Sequence, residues 1–305
     1  MHLPETHETY SNLILKRSRQ YISYGFWNGI EQANLLRWYK NFSRPEHSFL
    51  AALMLDNLVY RSNKQIQALL AHFLGISLPG IYWKFSGRRL TGDEMLLGLR
   101  NTDTEPKIRF LPSLSNTDPE HKSGQFIVRV LKKYFGIKSF RLLKVDDFEK
   151  SYDSETLFVF LDDFAGTGEQ FIANLYEFRE FFRSTIMSAS NIIFHPLMVH
   201  RVAVQNIGLE VPSVPVHWVE LLDSKNSFLA TDSTACANLI AIGNELQDIK
   251  AEYLRILDHF GIVSDEPFGY GDLCLLLAFE DSSPDNASPL LWFQDCPQFH
   301  PLFNR

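Results

Sequence analysis

Cysteine is scarce in this chain. Cys236, Cys274 and Cys296 are the three present, widely spaced and odd in number. No CxxC pair or zinc-ligand spacing exists. This argues against a disulfide framework and leaves free thiols in a reducing cytoplasm as the expectation. Long apolar runs are missing as well. No stretch approaches the roughly 18 apolar residues that mark a membrane span, so no membrane partner is expected. The start, MHLPETHETY, lacks the basic-then-apolar pattern of a signal peptide. There is no HExxH, no Walker loop, no Ser/His/Asp triad, no internal repeat and no low-complexity run.

What is present suits a packed protein. At 305 residues the chain exceeds one typical domain, and 45% hydrophobic content can fill two cores. The net charge of −7 is unevenly placed. Residues 1–100 hold 12 Lys/Arg against 7 Asp/Glu, whereas the remainder holds 17 against 29. The positive excess at the start fits either an acidic partner, such as nucleic acid, or an ordinary solvated face.

From Tyr10 to about Tyr39 the pattern is helical, interrupted at Asn28-Gly29. Phe49–Tyr60 and Lys64–Leu74 read as two more helices, joined by Arg61-Ser62-Asn63. Such a pair is compatible with a helix-turn-helix that places Lys64, Gln65 and Gln67 at a groove. An all-α interaction module is the preferred reading, because Gln65 and Gln67 cannot both point at one groove surface and basic residues are sparse. Thr91 and Glu94 have capping-box spacing, so a short helix is expected over Thr91–Leu99. The domains are therefore taken as 1–95, a helical interaction domain, and 96–305, an α/β domain.

Beyond Lys107 strands and helices alternate. Strands are expected at Ile108–Leu111, Arg141–Val145 and Leu157–Leu161. A further strand is expected near Ile192–Phe194 or Leu197–Val202, with others at Val214–Leu221 and Leu273–Phe279. Helices are expected from Ser123 to about Phe135, from Glu169 to Phe182, and from Ala235 to Phe260. This order predicts a mostly parallel sheet covered by helices.

The stretch Leu157–Gln170, LFVFLDDFAGTGEQ, carries the chemistry. An apolar strand runs into Asp162 and Asp163. A turn containing Gly166-Thr167-Gly168 follows, and then a helix. In open α/β sheets ligands bind beyond the C-terminal strand ends. Glycines let loop amides converge on one phosphate, and a helix start offers free N–H groups. Carboxylates beside them suit sugar hydroxyls. On a regular strand adjacent side chains face opposite ways, so both carboxylates can share a site only where the backbone turns.

Apolar run, acidic pair, short loop and Thr-Gly resemble the signature of type I phosphoribosyltransferases, which bind phosphoribosyl pyrophosphate. The resemblance implies that Asp162 and Asp163 hold the ribose hydroxyls. It implies that Ala165, Gly166, Thr167, Gly168, Glu169 and Gln170 hold the 5′-phosphate. Gln170 stands where the family usually has a small hydroxyl residue. Ser123-Gly124, preceded by Lys122, resembles the family's pyrophosphate loop. Mg²⁺, held mostly by ligand oxygens, is the implied cofactor.

The C-terminal stretches GYGDLCLLLAF and PDNASPLLW resemble a branch found in bacterial conflict and phage-defence cassettes, some beside retron reverse transcriptases. That branch has a helical, sometimes winged-helix, segment before the α/β domain. It implies an effector or toxin, either a phosphoribosyltransferase or a nucleotide glycosidase-type transferase or hydrolase. The implied partners are a reverse transcriptase or other defence component, and nucleic acid through residues 1–95. A non-catalytic nucleotide sensor and a DNA-binding regulator are the alternatives. His195 and His200 are weaker candidates for phosphate or metal. His217-Trp218 reads as packing, and Asp146-Asp147 as a solvated turn.

Overall fold

The computed structural model describes residues 1–101, 105–113, 123–177, 184–185, 189–262 and 265–303. Six strands are found among them: β1 (Val59–Arg61), β2 (Ile108–Pro112), β3 (Leu157–Ala165), β4 (Ile192–His200), β5 (Glu220–Leu222) and β6 (Leu277–Phe279). All their pairings are parallel, and helices flank the sheets. The chain forms two compact units. One joins Met1–Lys64 to Asp223–Arg305, and the other is Gln65–Leu222. The compact units therefore do not divide at residues 95–96. Both chain ends contribute to one core, which a linear reading of the sequence does not anticipate.

In the first unit the helix Pro45–Asp56 is the centre. Every residue from Phe49 to Leu55 is buried, as expected of a helix that is apolar on all sides. Trp38, from the helix Gln32–Lys40, is fully buried and its indole N–H donates to Leu290 O at 2.7 Å. Asp56 closes the helix by accepting from Arg17 and from Tyr10 Oη. The expected helix Phe49–Tyr60 stops at Asp56, because Val59–Arg61 is a strand paired with Leu277–Phe279. β-branched and aromatic residues favour that conformation. Of the expected linker Arg61-Ser62-Asn63, Arg61 belongs to the strand and Asn63 already opens the helix Asn63–His72, so a strand stands between the two helices in place of a short turn. The long helix expected over Ala235–Phe260 is two, Thr234–Ala241 and Leu246–His259. Gly243, at φ 91°, breaks it, and Glu245 with Asp248 caps the second part.

In the second unit β2, β3, β4 and β5 lie side by side in chain order. All nine residues of β4 and the first six of β3 are buried, as a sheet covered on both faces requires. One continuous strand runs through Pro196, where the sequence suggested two separate candidates. Pro196 lies opposite Asp162, and the register then passes to Phe164 opposite Met198. β5 pairs only with Met198–His200, so the proline stands outside that ladder.

Arg141–Val145 is not a strand. Ser139–Arg141 and Val145–Asp147 are 3-10 turns, and Leu142 makes a single bridge to Phe110. The Arg141 side chain is fully buried and donates to the carbonyls of Pro106, Ile108 and Gly98. The Thr91–Glu94 capping box is present, with Glu94 N donating to Thr91 Oγ1 at 3.2 Å and Thr91 N to Glu94 Oε2 at 2.8 Å. It opens the helix Gly92–Asn101. By length and composition the helical stretch Asn63–Ser86 could cross a membrane, yet half of its apolar window is buried inside the protein.

Candidate phosphoribosyl site

β3 extends four residues past Leu161 and carries the acidic pair within it. The pair therefore does not sit on a turn after the strand, as the sequence suggested. The two carboxylates occupy different surroundings. Asp162 is 6% exposed, whereas Asp163 is half-buried. Alternation along a strand produces this difference.

Asp162 is held from several sides. Ser113 Oγ donates to its Oδ2, and the backbone N–H of Asp163 donates to its Oδ1 at 2.9 Å. The register explains the first contact. Pro112 pairs with Leu161, so the next residue of each chain segment, Ser113 and Asp162, come together. Ser113 N also donates to Leu161 O at 3.0 Å. Its carbonyl accepts from Asn174 Nδ2 at 2.6 Å, and Asn174 lies on the helix Glu169–Glu177. Asn174, Ser113 and Asp162 are all buried. This polar chain ties the end of β2, the acidic pair and the helix after the loop to one another. Asp163 Oδ1 in turn accepts from Phe164 N at 2.8 Å.

The loop itself is tightly built. Gly168 has φ 79°, a left-handed conformation that favours glycine. A Cβ there would lie 2.9 Å from Ile207 Cγ1 and 3.2 Å from Ala203 O. Glycine is therefore demanded twice, by conformation and by space. Thr167 is buried, its Oγ1 accepts from Glu169 N at 3.4 Å, and its carbonyl accepts from Asn206 Nδ2 at 2.9 Å. The Thr167 hydroxyl hydrogen remains as a donor toward an anion. Gly168 O accepts from Ile172 N at 3.0 Å and starts the helix. Ala165 and Gly166 are buried, while Glu169 and Gln170 are exposed at the first helical turn. A helix start of this kind turns its positive dipole end toward an anion.

The helix expected at Ser123-Gly124 does open there, as Ser123–Lys133, and packs on β2 and β3. The side chains of Ser123 and Gly124, and all of Lys122, lie outside the described residues. His195 is fully buried in β4 against Phe73, and His200 caps the helix Arg201–Glu210 by accepting from Val202 N at 3.3 Å. Neither is brought to the acidic pair by a described contact. A cleft of about 330 Å³ lined by Leu74, Thr91, Asp93, Leu96 and Phe135 contains neither the acidic pair nor any residue of the Gly166–Gln170 loop.

Ser113, Asn174 and Asn206 were not singled out from the sequence. Asn174 carried a signal, since it is a polar residue on the apolar stripe of Phe171 and Leu175. Ser113→Ala removes a hydroxyl donor from a buried carboxylate and should cost about 1–3 kcal/mol. Urea unfolding of the purified variant measures it, and a cost below about 0.5 kcal/mol would show that the contact holds nothing.

Parallel strand, acidic pair, glycine-closed turn and helix start form one continuous unit. No curated protein matches the chain. The PRTase-CE family model matches residues 35–305. With nearly the whole length covered, the chain belongs to the PRTase-CE family and is a phosphoribosyltransferase-like protein.

Proposed function

We propose that the chain binds phosphoribosyl pyrophosphate or a nucleotide at the C-terminal end of β3, and cleaves or transfers at ribose C1′. The observation that carries this reading is the joining of Asp162 and Asp163 to the Gly168 turn in one strand–turn–helix unit. In this reading the half-buried Asp163 takes ribose hydroxyls, and Asp162 stands behind it, held by Ser113. The amides at the start of the helix Glu169–Glu177, with the Thr167 hydroxyl, take the 5′-phosphate. Lys122 and the Ser123-Gly124 helix start are assigned to the diphosphate.

Breaking the C1′ bond develops positive charge on the sugar ring, and carboxylates fixed nearby favour that charge. With phosphoribosyl pyrophosphate the C1′–O bond breaks, diphosphate leaves and a base is the acceptor, giving a phosphoribosyltransferase; with a nucleotide the C1′–N bond breaks, the base leaves and water is the acceptor, giving a nucleotide glycosidase-type hydrolase. Among the described residues no group of three or more His, Cys, Asp or Glu is placed to hold a metal. Mg²⁺ is a hard cation that takes few protein ligands beside phosphate oxygens, so it would be held mostly by the oxygens of the ligand. When bound, Mg²⁺ supplies charge neutralisation for the leaving diphosphate.

From the resemblance of its C-terminal stretches we further propose that the protein is a cytoplasmic effector or toxin of a bacterial antiphage system of the retron type. Residues 1–95 would dock on nucleic acid or on a protein component such as a reverse transcriptase. The positive excess over residues 1–100 supports that assignment.

Metabolite mass spectrometry of cells expressing wild type or the Asp162→Asn/Asp163→Asn variant tests the activity. Wild type should change the nucleotide or phosphoribosyl pyrophosphate pool, and the folded double variant should not. Identical metabolite profiles would end the assignment. Ligand-dependent thermal stabilisation without product would instead identify a sensor.

A further inference from the structure

One stretch of the second unit reverses the sign of the whole chain. Residues 129–144, RVLKKYFGIKSFRLLK, contain Arg129, Lys132, Lys133, Lys138, Arg141 and Lys144 and no acidic residue. The chain that holds them has a net charge of −7. Arg141 is consumed internally by backbone carbonyls. The other five are exposed, and none of them forms an ion pair among the described residues. A cluster of exposed cations with no carboxylate beside it presents a positive potential to an anionic partner.

The placement is coherent. Arg129, Lys132 and Lys133 lie at i, i+3 and i+4 on the helix Ser123–Lys133, which puts them on one face. The buried residues of that helix, Ile127, Val130 and Leu131, point the other way. The chain then passes along the outside of β2, the edge strand of its sheet, where Leu142 bridges Phe110. Two aromatic rings are left outward among these charges. Tyr134 is 63% exposed and Phe140 is 41% exposed. The Arg109 guanidinium lies 5.1 Å from the centroid of Phe140, adding a planar cation to the strip. Charge alone would suit any polyanion. Exposed rings interleaved with lysines suit bases that can leave a stack, which duplexes do not offer.

We propose that the strip 129–144, along the β2 edge, is a binding surface for single-stranded nucleic acid. Lys132, Lys133, Arg129 and Lys138 contact phosphates, and Tyr134 stacks on a base. This does not depend on the phosphoribosyl reading, since it shares no residue with the acidic pair or its loop.

Fluorescence anisotropy with a labelled oligothymidylate of about 15 nucleotides, near the upper site size of one binding fold, tests it on the full-length chain. Wild type should bind, and should weaken steeply between 50 and 200 mM salt, both being assay conditions of about the range in which phosphate contacts are lost. Lys132→Glu/Lys133→Glu should weaken binding at least about tenfold and flatten the salt slope. Tyr134→Ala should weaken it about fivefold or more and leave the slope unchanged. All three positions are exposed, so thermal unfolding midpoints should match wild type. No binding at the lower salt, or binding indifferent to the lysine variant, would overturn the proposal. Equal affinity for a duplex, with Tyr134→Ala silent, would overturn the single-strand assignment. Competition by polyglutamate as effective as by oligothymidylate, or binding to phosphatidylserine vesicles without binding to the oligonucleotide, would overturn it too.

Discussion

Gly168→Val should abolish phosphoribosyl binding and destabilise the chain by about 2–5 kcal/mol. The estimate has two parts. Holding an L-residue in the left-handed region costs about 1–2 kcal/mol, and a β-branched side chain adds to it. Forcing new carbon into a filled space costs typically about 1–3 kcal/mol more. The space is filled from two directions, by Ile207 Cγ1 at 2.9 Å and by Ala203 O at 3.2 Å from the position a Cβ would take. Ile207 is a side chain and can be trimmed, whereas Ala203 O belongs to a helix backbone. Combining Gly168→Val with Ile207→Ala should therefore recover little, because Ile207→Ala opens its own cavity and the φ of 79° remains forbidden. Gly168→Ala should lie between wild type and Gly168→Val. Calorimetric titration with phosphoribosyl pyrophosphate and urea unfolding give the two readouts. A Gly168→Val chain within about 0.5 kcal/mol of wild type would mean that the turn relaxes and that glycine is not required there.

The loop was legible in the sequence because its determinants are local. Two glycines, a threonine and an apolar strand lie within a few residues of one another, and their spacing states the strand–turn–helix unit. The fold class was legible for the same reason, since alternating apolar runs and helical stripes need no long-range partner to be recognised. What escaped the sequence depends on pairing. Ser113 becomes a partner of Asp162 only once Pro112 is set against Leu161. The acidic pair lies within β3 because β4 continues opposite it through Pro196, a residue that sequence reasoning treats as a strand breaker. Arg141 reads as a strand residue until its guanidinium is seen to satisfy three backbone carbonyls. Val59–Arg61 looks like the end of a helix until Leu277–Phe279, more than two hundred residues on, supplies its ladder. The compact units follow from that same pairing.

His195→Leu should stabilise the protein and remove much of its sensitivity to acid. His195 is fully buried on β4, with its ring 4.2 Å from that of Phe73. Neither ring nitrogen has a hydrogen-bond partner among the described residues. Desolvation by burial is the first cause that pushes its pKa down to about 3, with the nearby His217 and His72 adding to it. The ring is therefore neutral in the folded protein at any pH near neutrality. The unfolded chain takes up this proton first, because its histidine titrates near the ordinary value of about 6.5. Stability from this group is complete above about pH 6.5 and is lost as pH falls from there toward about 3, by roughly 1.4 kcal/mol per pH unit. His47 shifts in the same direction, through burial and against the opposing pull of its hydrogen-bond partner Glu252, so some acid sensitivity will persist without His195. Leucine keeps the apolar contact with Phe73 and removes two unsatisfied buried nitrogens, a change worth about 1–3 kcal/mol at about pH 7.5. Urea unfolding of wild type and His195→Leu across about pH 7.5 to 4.5 should give curves that diverge as pH falls. Parallel curves would show that His195 finds a proton partner in the folded state, and that its burial does not govern acid unfolding.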